Sequence, residues 1–447
     1  MIGIDGAEGL ARLFDLAGVG RLYGVAVPGL EMTVVAPSVA ATLAAADAWV
    51  HGRPAAASLG DGRFVIGRPD RPVHHQVVVE AVVELVDASV EIRDTLARHP
   101  ESSVGLEVRV ALAAPVATWS PAPAAAPDRW RQPPAELVEQ VRSAARPMVV
   151  AGPGVVSAGA VPGLHALAAA ADLGVLNTWG AKGVFDWRSR HHWATVGLQA
   201  DDLVLGGAAD SDLVVLTGID PDELDLAGLA ALLASTGATA VTVDPGALAP
   251  LAEQWRRPGG ELAMPPLRTA LAGITQAGWE RTAAPLAPTR VTADYAQVLA
   301  GQGFVAAEPG RAGYWVARTF ATTVLGGARV PARRQPAGLA VACAIVAGCR
   351  PGGPARPLAG ADGPLDDATA DLLEAAEDLG VAVVVELWDP DGPVLDAAAH
   401  QARLAGALAS PRPSILSVAT DPAQLDDMIA AAGAVTAWGG LTSEEMR

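Results

Sequence analysis

The sequence predicts an α/β protein of three domains, each a doubly wound parallel sheet, and three observations carry that expectation. Short apolar runs such as Met148-Val149-Val150 and Val383-Val384-Val385 alternate with helical patterns along the whole chain, the rhythm of buried strands joined by helices. Two Pro/Ala-rich stretches, Ala113 to Pro134 and Thr282 to Thr289, divide the chain into three pieces of domain size. Asp362 and Asp389 each sit at a turn beside an apolar run, with an amphipathic helix from Asp366 to Leu379 between them. At the carboxyl ends of parallel strands two such acids can face one crevice. There they suit a hard divalent cation that also grips a diphosphate. Domains are expected at 1–115, 135–281 and 290–447.

Composition narrows the function classes. A chain of 447 residues has room for several large cores. Its formal charge of −18 argues against a nucleic-acid or anionic-membrane partner. Gly, Pro and charged residues interrupt every apolar run before membrane-spanning length, and the start of the chain has no charged-then-apolar leader. Cys343 and Cys349 lie in or beside an apolar helix-like run, which fits a reducing compartment and no disulfide framework. A cytoplasmic protein is expected.

In chain order, the first piece opens with Ala17-Gly18-Val19 and Tyr23-Gly24-Val25-Ala26-Val27-Pro28-Gly29, a strand running into a turn. A helix follows from Val39 to Val50, then Gly52-Arg53-Pro54. Leu59-Gly60-Asp61-Gly62 runs almost directly into Phe64-Val65-Ile66-Gly67-Arg68-Pro69, and His74-His75 comes next. The middle piece reads Arg146-Pro147-Met148-Val149-Val150-Ala151-Gly152-Pro153-Gly154, then Asn177-Thr178-Trp179-Gly180-Ala181-Lys182-Gly183, Ala209-Asp210-Ser211-Asp212-Leu213 to Gly218, and Val241-Thr242-Val243-Asp244-Pro245. A dinucleotide site at Gly152-Pro153-Gly154 fails the fuller fingerprint, because position 157 is Ser and no acid ends a second strand. A glycine turn that lets helix and strand pack closely is the favoured reading. The last piece carries Phe304 to Gly310, Tyr314-Trp315, the helix Gly338-Leu339-Ala340-Val341-Ala342, and the Asp362 and Asp389 turns.

In this order and spacing the segments resemble the thiamine-diphosphate (ThDP) enzymes of the acetolactate synthase and pyruvate or indolepyruvate decarboxylase group, with a degenerate active site. The resemblance is strongest in the middle piece. It implies a pyrimidine-binding-like, a central Rossmann-like and a diphosphate-binding-like domain. Ala361-Asp362-Gly363 matches the family's Gly-Asp-Gly, and Asp389 stands where its second Asn is found. The implied cofactors are therefore ThDP and Mg²⁺, with Asp362 and Asp389 as metal ligands and Gly338, Leu339, Asp362 and Gly363 against the cofactor. His74 and His75 are similar to the family's proton-handling pair, the natural residue type for that work. His191-His192 matches a loop and is expected to be loop structure, since metal sites need further ligands at fixed spacing.

Departures are as informative. The family's activating Glu heads the helix matched here by Val39 to Val50, yet no residue from Pro37 to Val39 is acidic and Glu31 lies too early. The Gly-rich helix expected after Gly60 is missing. Where the family has an apolar wedge, Arg333-Arg334-Gln335-Pro336 is found. The resemblance implies a 2-oxo acid decarboxylase or carboligase of impaired activity. The alternative is a non-catalytic paralogue that partners an active ThDP enzyme. The implied partners are a small 2-oxo acid if the chain is active, and either a homodimer or tetramer or a hetero-oligomer with a ThDP enzyme subunit.

Overall fold

The computed structural model describes residues 4–81, 84–99, 102–109, 112, 115–116, 132–256, 262–334, 336–349 and 356–446. Most of the Ala113 to Pro134 spacer lies outside the described residues. Two compact units form. One comprises Met1–Asp128, Gln335–Cys349 and Asp366–Gly380; the other comprises Arg129–Arg334, Arg350–Leu365 and Val381–Arg447.

The N-terminal unit holds a six-stranded sheet in the order Thr33–Val34, Leu22–Gly24, Ala55–Gly60, Arg63–Gly67, Ser103–Val108, Val73–Val79. It differs from the wholly parallel sheet the sequence predicts. Ala55–Gly60 and Arg63–Gly67 pair antiparallel as a hairpin, and Arg63–Gly67 pairs antiparallel with Ser103–Val108 as well. The physical reason is the turn. Asp61 and Gly62 both have positive φ (52° and 73°), the two-residue geometry that matches the twist of hairpin strands. A parallel connection would need a crossover helix, and two residues leave no room for one. Against the Ala-rich helix Pro37–His51 pack the helices Leu339–Gly348 and Asp367–Asp378 of the same unit.

The second unit contains two five-stranded, all-parallel sheets. The middle sheet runs His192–Val196, Val175–Thr178, Pro147–Ala151, Leu213–Thr217, Thr239–Val243, so its strand order reverses between Pro147–Ala151 and Leu213–Thr217. The C-terminal sheet runs Ala328–Arg329, Gly303–Ala307, Arg356–Asp362, Val384–Trp388, Ser414–Val418. Its order reverses between Gly303–Ala307 and Arg356–Asp362, and a crevice opens at the carboxyl ends of such a pair. Trp179, Trp315, Trp388, Tyr295 and Met428 belong to one apolar core shared by both sheets.

The helix Arg311–Thr319 is pinned at its carboxyl end by a buried polar cluster. Arg318 donates to both oxygens of Asp202 (2.8 and 3.0 Å) and to the Thr195 carbonyl (2.8 Å). Asp202 also accepts the backbone N–H groups of Leu198 and Gln199 (2.8 and 3.0 Å). Tyr314 donates to the Gln199 side chain (2.8 Å), which itself donates to the carbonyls of Met428 and Gly433. Burial pushes the Asp202 pKa up, and Arg318 opposes that shift. Removing one partner leaves a buried charge uncompensated. Arg318→Met should therefore lower the unfolding free energy by about 3–5 kcal/mol in denaturant titration, and the double variant Arg318→Met/Asp202→Leu should recover much of that loss.

Candidate diphosphate-binding site

Strand Gly303–Ala307 ends in Glu308-Pro309-Gly310, and the helix Arg311–Thr319 starts at once. Asp362, the last residue of the adjacent strand, sends its carboxylate across the switch point to that helix. Its Oδ2 accepts the N–H of Arg311 (2.7 Å) and its Oδ1 accepts that of Ala312 (2.9 Å). Two of the free N–H groups at the helix start are thus satisfied from a neighbouring strand rather than by a residue at the helix's own cap position. Position 310 must be glycine, because a Cβ there would overlap Asp362 Oδ2. Burial pushes the Asp362 pKa up, while the two N–H donors and the charges of Arg311 and Arg334 pull it back.

Asp389 follows the strand Val384–Trp388, and Trp388 is the register partner of Asp362. Gly363 donates its N–H to the Trp388 carbonyl (3.1 Å), and a Cβ on Gly363 would lie 2.7 Å from Asp389 Cβ. The absence of a side chain at 363 brings the two acidic turns together. Asp389 Oδ1 accepts the Asp391 N–H (3.0 Å). Each carboxylate keeps lone pairs for a cation. Among the described residues no group of three or more His, Cys, Asp or Glu could hold a metal ion, so a hard cation here would complete its shell from phosphate oxygens and water, as Mg²⁺ commonly does. Gly338 and Leu339 lie in the other unit. Gly338, at φ +77°, heads the helix Leu339–Gly348, and a Cβ there would press on Leu372.

Sequence reasoning missed Arg311. It is 7% exposed, and its Nε is buried without a hydrogen-bond partner. The signal was available: a cationic residue opening a helix directly after a Gly-terminated strand. Arg334, which also acts on Asp362, pairs with Glu445 at 3.1 Å, and Arg333 pairs with Asp222 at 2.5 Å.

Behind the acidic turns lies a second cluster that was not anticipated. Glu386, in the middle of Val384–Trp388, is 1% exposed. It accepts from Tyr295 Oη (2.6 Å) and faces His400 Nε2 (3.1 Å). His400 Nδ1 lies 2.7 Å from Asp294, and Arg290 and Gln401 also contact Asp294. Trp388 Nε1 donates to Tyr295 Oη (2.9 Å).

In the N-terminal unit, the Val25 to Pro28 loop lines a cavity of about 250 Å³ together with Ser58, Asp61 and Phe64. The first turn of helix Pro37–His51 carries no acidic residue, and Glu31 is exposed. His74 and His75 lie on Val73–Val79, the strand at the sheet's edge. His74 is exposed and packs on the ring of His99, and His75 pairs with Glu91 at 2.5 Å. In the middle sheet, the switch point is closed by glycine backbone. Gly152 N–H donates to the Thr217 carbonyl (2.9 Å), and Gly154 N–H donates to that of Gly218 (2.8 Å). A Cβ on Gly154 would lie 2.7 Å from Gly218 Cα. No space remains there for a pyrophosphate. His191 Nδ1 lies 2.8 Å from the Leu173 carbonyl. Burial and the nearby Lys182 charge push the His192 pKa down to about 3.

Two comparisons with known proteins found similarity. Residues 135–248 match the family model described as the thiamine pyrophosphate enzyme central domain. The chain is also similar to the X-ray structure of a provisionally assigned thiamin diphosphate-dependent enzyme from Mycobacterium smegmatis. The TM-score is 0.67 over 93% of this chain and 99% of that one, at 14% identity. No curated protein matches the sequence. Residues 135–248 are thus similar to that central domain in sequence, and the chain as a whole shares its fold with the solved structure.

The His400 cluster yields a pH prediction. Burial works against the proton on His400, but Glu386 and Asp294 outweigh it and raise the pKa from 6.5 to about 9. A raised folded-state pKa gives stability that is complete below pH 6.5 and lost as pH rises through 9. The loss should be on the order of 3 kcal/mol. Denaturant midpoints measured across that window should fall in the native protein and stay flat in His400→Gln.

Proposed function

We propose that this chain binds the diphosphate end of ThDP at the Asp362–Asp389 crevice and is impaired as a 2-oxo acid decarboxylase or carboligase. One observation carries the reading: the helix Pro37–His51 opens without an acid, and a two-residue turn occupies the place of the helix expected after Gly60. The bound cofactor would supply the thiazolium carbanion that such decarboxylations use. The chain's own groups divide unevenly. Asp362 and Asp389 suit a cation with a diphosphate, and Gly363 gives that group close approach to backbone. For the pyrimidine end, the cavity by Val25 to Pro28 in the N-terminal unit offers, among the described residues, only Asp61 as an ionisable lining group, and Asp61 is exposed on the hairpin turn. That end does not fit the acid-assisted activation the family implies, so no catalytic step is derived through it. His74 and His75 remain the candidates for holding and moving substrate protons, with His75 oriented by Glu91.

The missing acid also favours a second reading, in which the chain is a non-catalytic subunit paired with an active ThDP enzyme. Co-expression should then give one ThDP per heterodimer, against none for this chain alone.

Thermal melting with ThDP and Mg²⁺ tests the first reading. Ligand at about 100 times its Kd adds roughly 2.7 kcal/mol, a rise in Tm of a few degrees. The rise should vanish in Asp389→Ala, and pyruvate turnover by the same sample should stay near background. No rise in a folded protein contradicts binding, and turnover of roughly 1 s⁻¹ or faster contradicts impairment.

A further inference from the structure

We propose that Lys182, at the carboxyl edge of the middle sheet, is a covalent modification site whose buried amine takes up carbon dioxide as a carbamate beside Arg318. The site stands apart from the diphosphate crevice, and the inference does not rest on the cofactor reading.

Lys182 is the only lysine in the chain. It follows the single turn Trp179–Ala181 at the end of strand Val175–Thr178, and its backbone N–H donates to the Trp179 carbonyl (3.0 Å). The residue is 4% exposed. An ammonium buried to that degree ordinarily pairs with a carboxylate or a carbonyl. Among the described residues, however, the Lys182 side chain has no ion pair and no hydrogen bond.

The groups around it are cationic or already engaged. Arg318, from the helix Arg311–Thr319, is the charge that acts on Lys182. His192, which opens the neighbouring strand, feels the Lys182 charge together with those of Arg268 and Asp186. Glu223 reaches the same turn, and there it accepts the N–H of Gly180 (3.1 Å). Burial first, and Arg318 second, push the Lys182 amine down from 10.5 to about 7. Near neutral pH roughly half of the molecules therefore hold a free amine lone pair at this position.

The sign of the surroundings selects the electrophile. A carbonyl compound would give an imine, which becomes a cation on protonation and meets the same repulsion from Arg318. Carbon dioxide gives an anion instead. The lone pair attacks carbon, the N–C bond forms, one C–O π pair moves onto oxygen, and a proton leaves the nitrogen for solvent water. Nothing is oxidised or reduced. A group that Arg318 repels is thereby replaced by one that it attracts. Arg318 also has a donor to spare. Its terminal nitrogens serve Asp202, Gln199 and the Thr195 carbonyl, while its buried Nε–H has no hydrogen-bond partner among the described residues. Size agrees, because a linear triatomic molecule needs little room to reach an amine so nearly closed off.

The test is ¹³C NMR of the full chain in ¹³C-labelled bicarbonate near neutral pH. The same sample is then alkylated with a trialkyloxonium salt, which fixes a carbamate as its ester, and mapped by peptide mass. A carbamate carbonyl resonance should appear, be lost in Lys182→Arg, and map to the peptide that contains residue 182. Urea should reduce it by about tenfold or more, because an unfolded lysine returns to its ordinary, mostly protonated state. No resonance, one undiminished in Lys182→Arg (and so carried by the terminal amine), or one unchanged by urea overturns the inference. If Lys182→Arg does not fold, the peptide map of the native chain decides: ester mass at residue 182 supports the site, and its absence overturns it.

Discussion

The helix Arg311–Thr319 is held at both ends by carboxylates that come from elsewhere in the chain, and the site depends on that arrangement. Asp362 satisfies its first N–H groups, and Asp202 holds Arg318 near its last turn. The first contact fixes the helix to the carboxyl edge of the C-terminal sheet. The second fixes it to the loop after His192–Val196 in the middle domain. A helix restrained this way cannot slide, so the position of its first residue, Arg311, is set along the backbone by two acids from elsewhere in the chain. Buried charges of this kind are poor sources of stability, but they specify one geometry when fully paired.

The residues matched to the expected site are spread unevenly over the two units. At the C-terminal switch point Asp362, Gly363 and Asp389 converge, with Arg311 beside them. In the N-terminal unit an Asp61-Gly62 turn joins Ala55–Gly60 to Arg63–Gly67, and the helix Pro37–His51 opens on Ala36-Pro37-Ser38. At the switch point of the middle sheet, Gly152, Gly154 and Gly218 bring backbone onto backbone.

Much of this was legible in the sequence. The parallel sheets followed from apolar runs alternating with helical patterns, and Asp362 and Asp389 were placed at the ends of neighbouring strands. The abrupt passage from Gly60 to Phe64 pointed to a missing helix, although it did not say that the strand would turn back antiparallel. That outcome depends on two consecutive residues taking positive φ, which Asp61 and Gly62 tolerate better than most. Long-range pairing was the part that could not be read. Glu386 sits in the run Val383-Val384-Val385-Glu386-Leu387, and its burial required a partner, but His400 and Tyr295 are supplied by two other helices. Arg311 looks like an ordinary surface arginine until the helix it opens is packed. The role of Asp362 as a cap spans 51 residues, and no local rule anticipates a cap delivered by another strand.

The most direct test of the account compares the affinities of ThDP, inorganic pyrophosphate and thiamine for the purified chain by isothermal titration. If the phosphate end is the retained half, ThDP and pyrophosphate should bind within about tenfold of each other, a difference of 1.4 kcal/mol, and thiamine should not bind measurably. Thiamine binding on its own, or ThDP binding tighter than pyrophosphate by orders of magnitude, would show that the pyrimidine end still grips its ligand and would contradict the account.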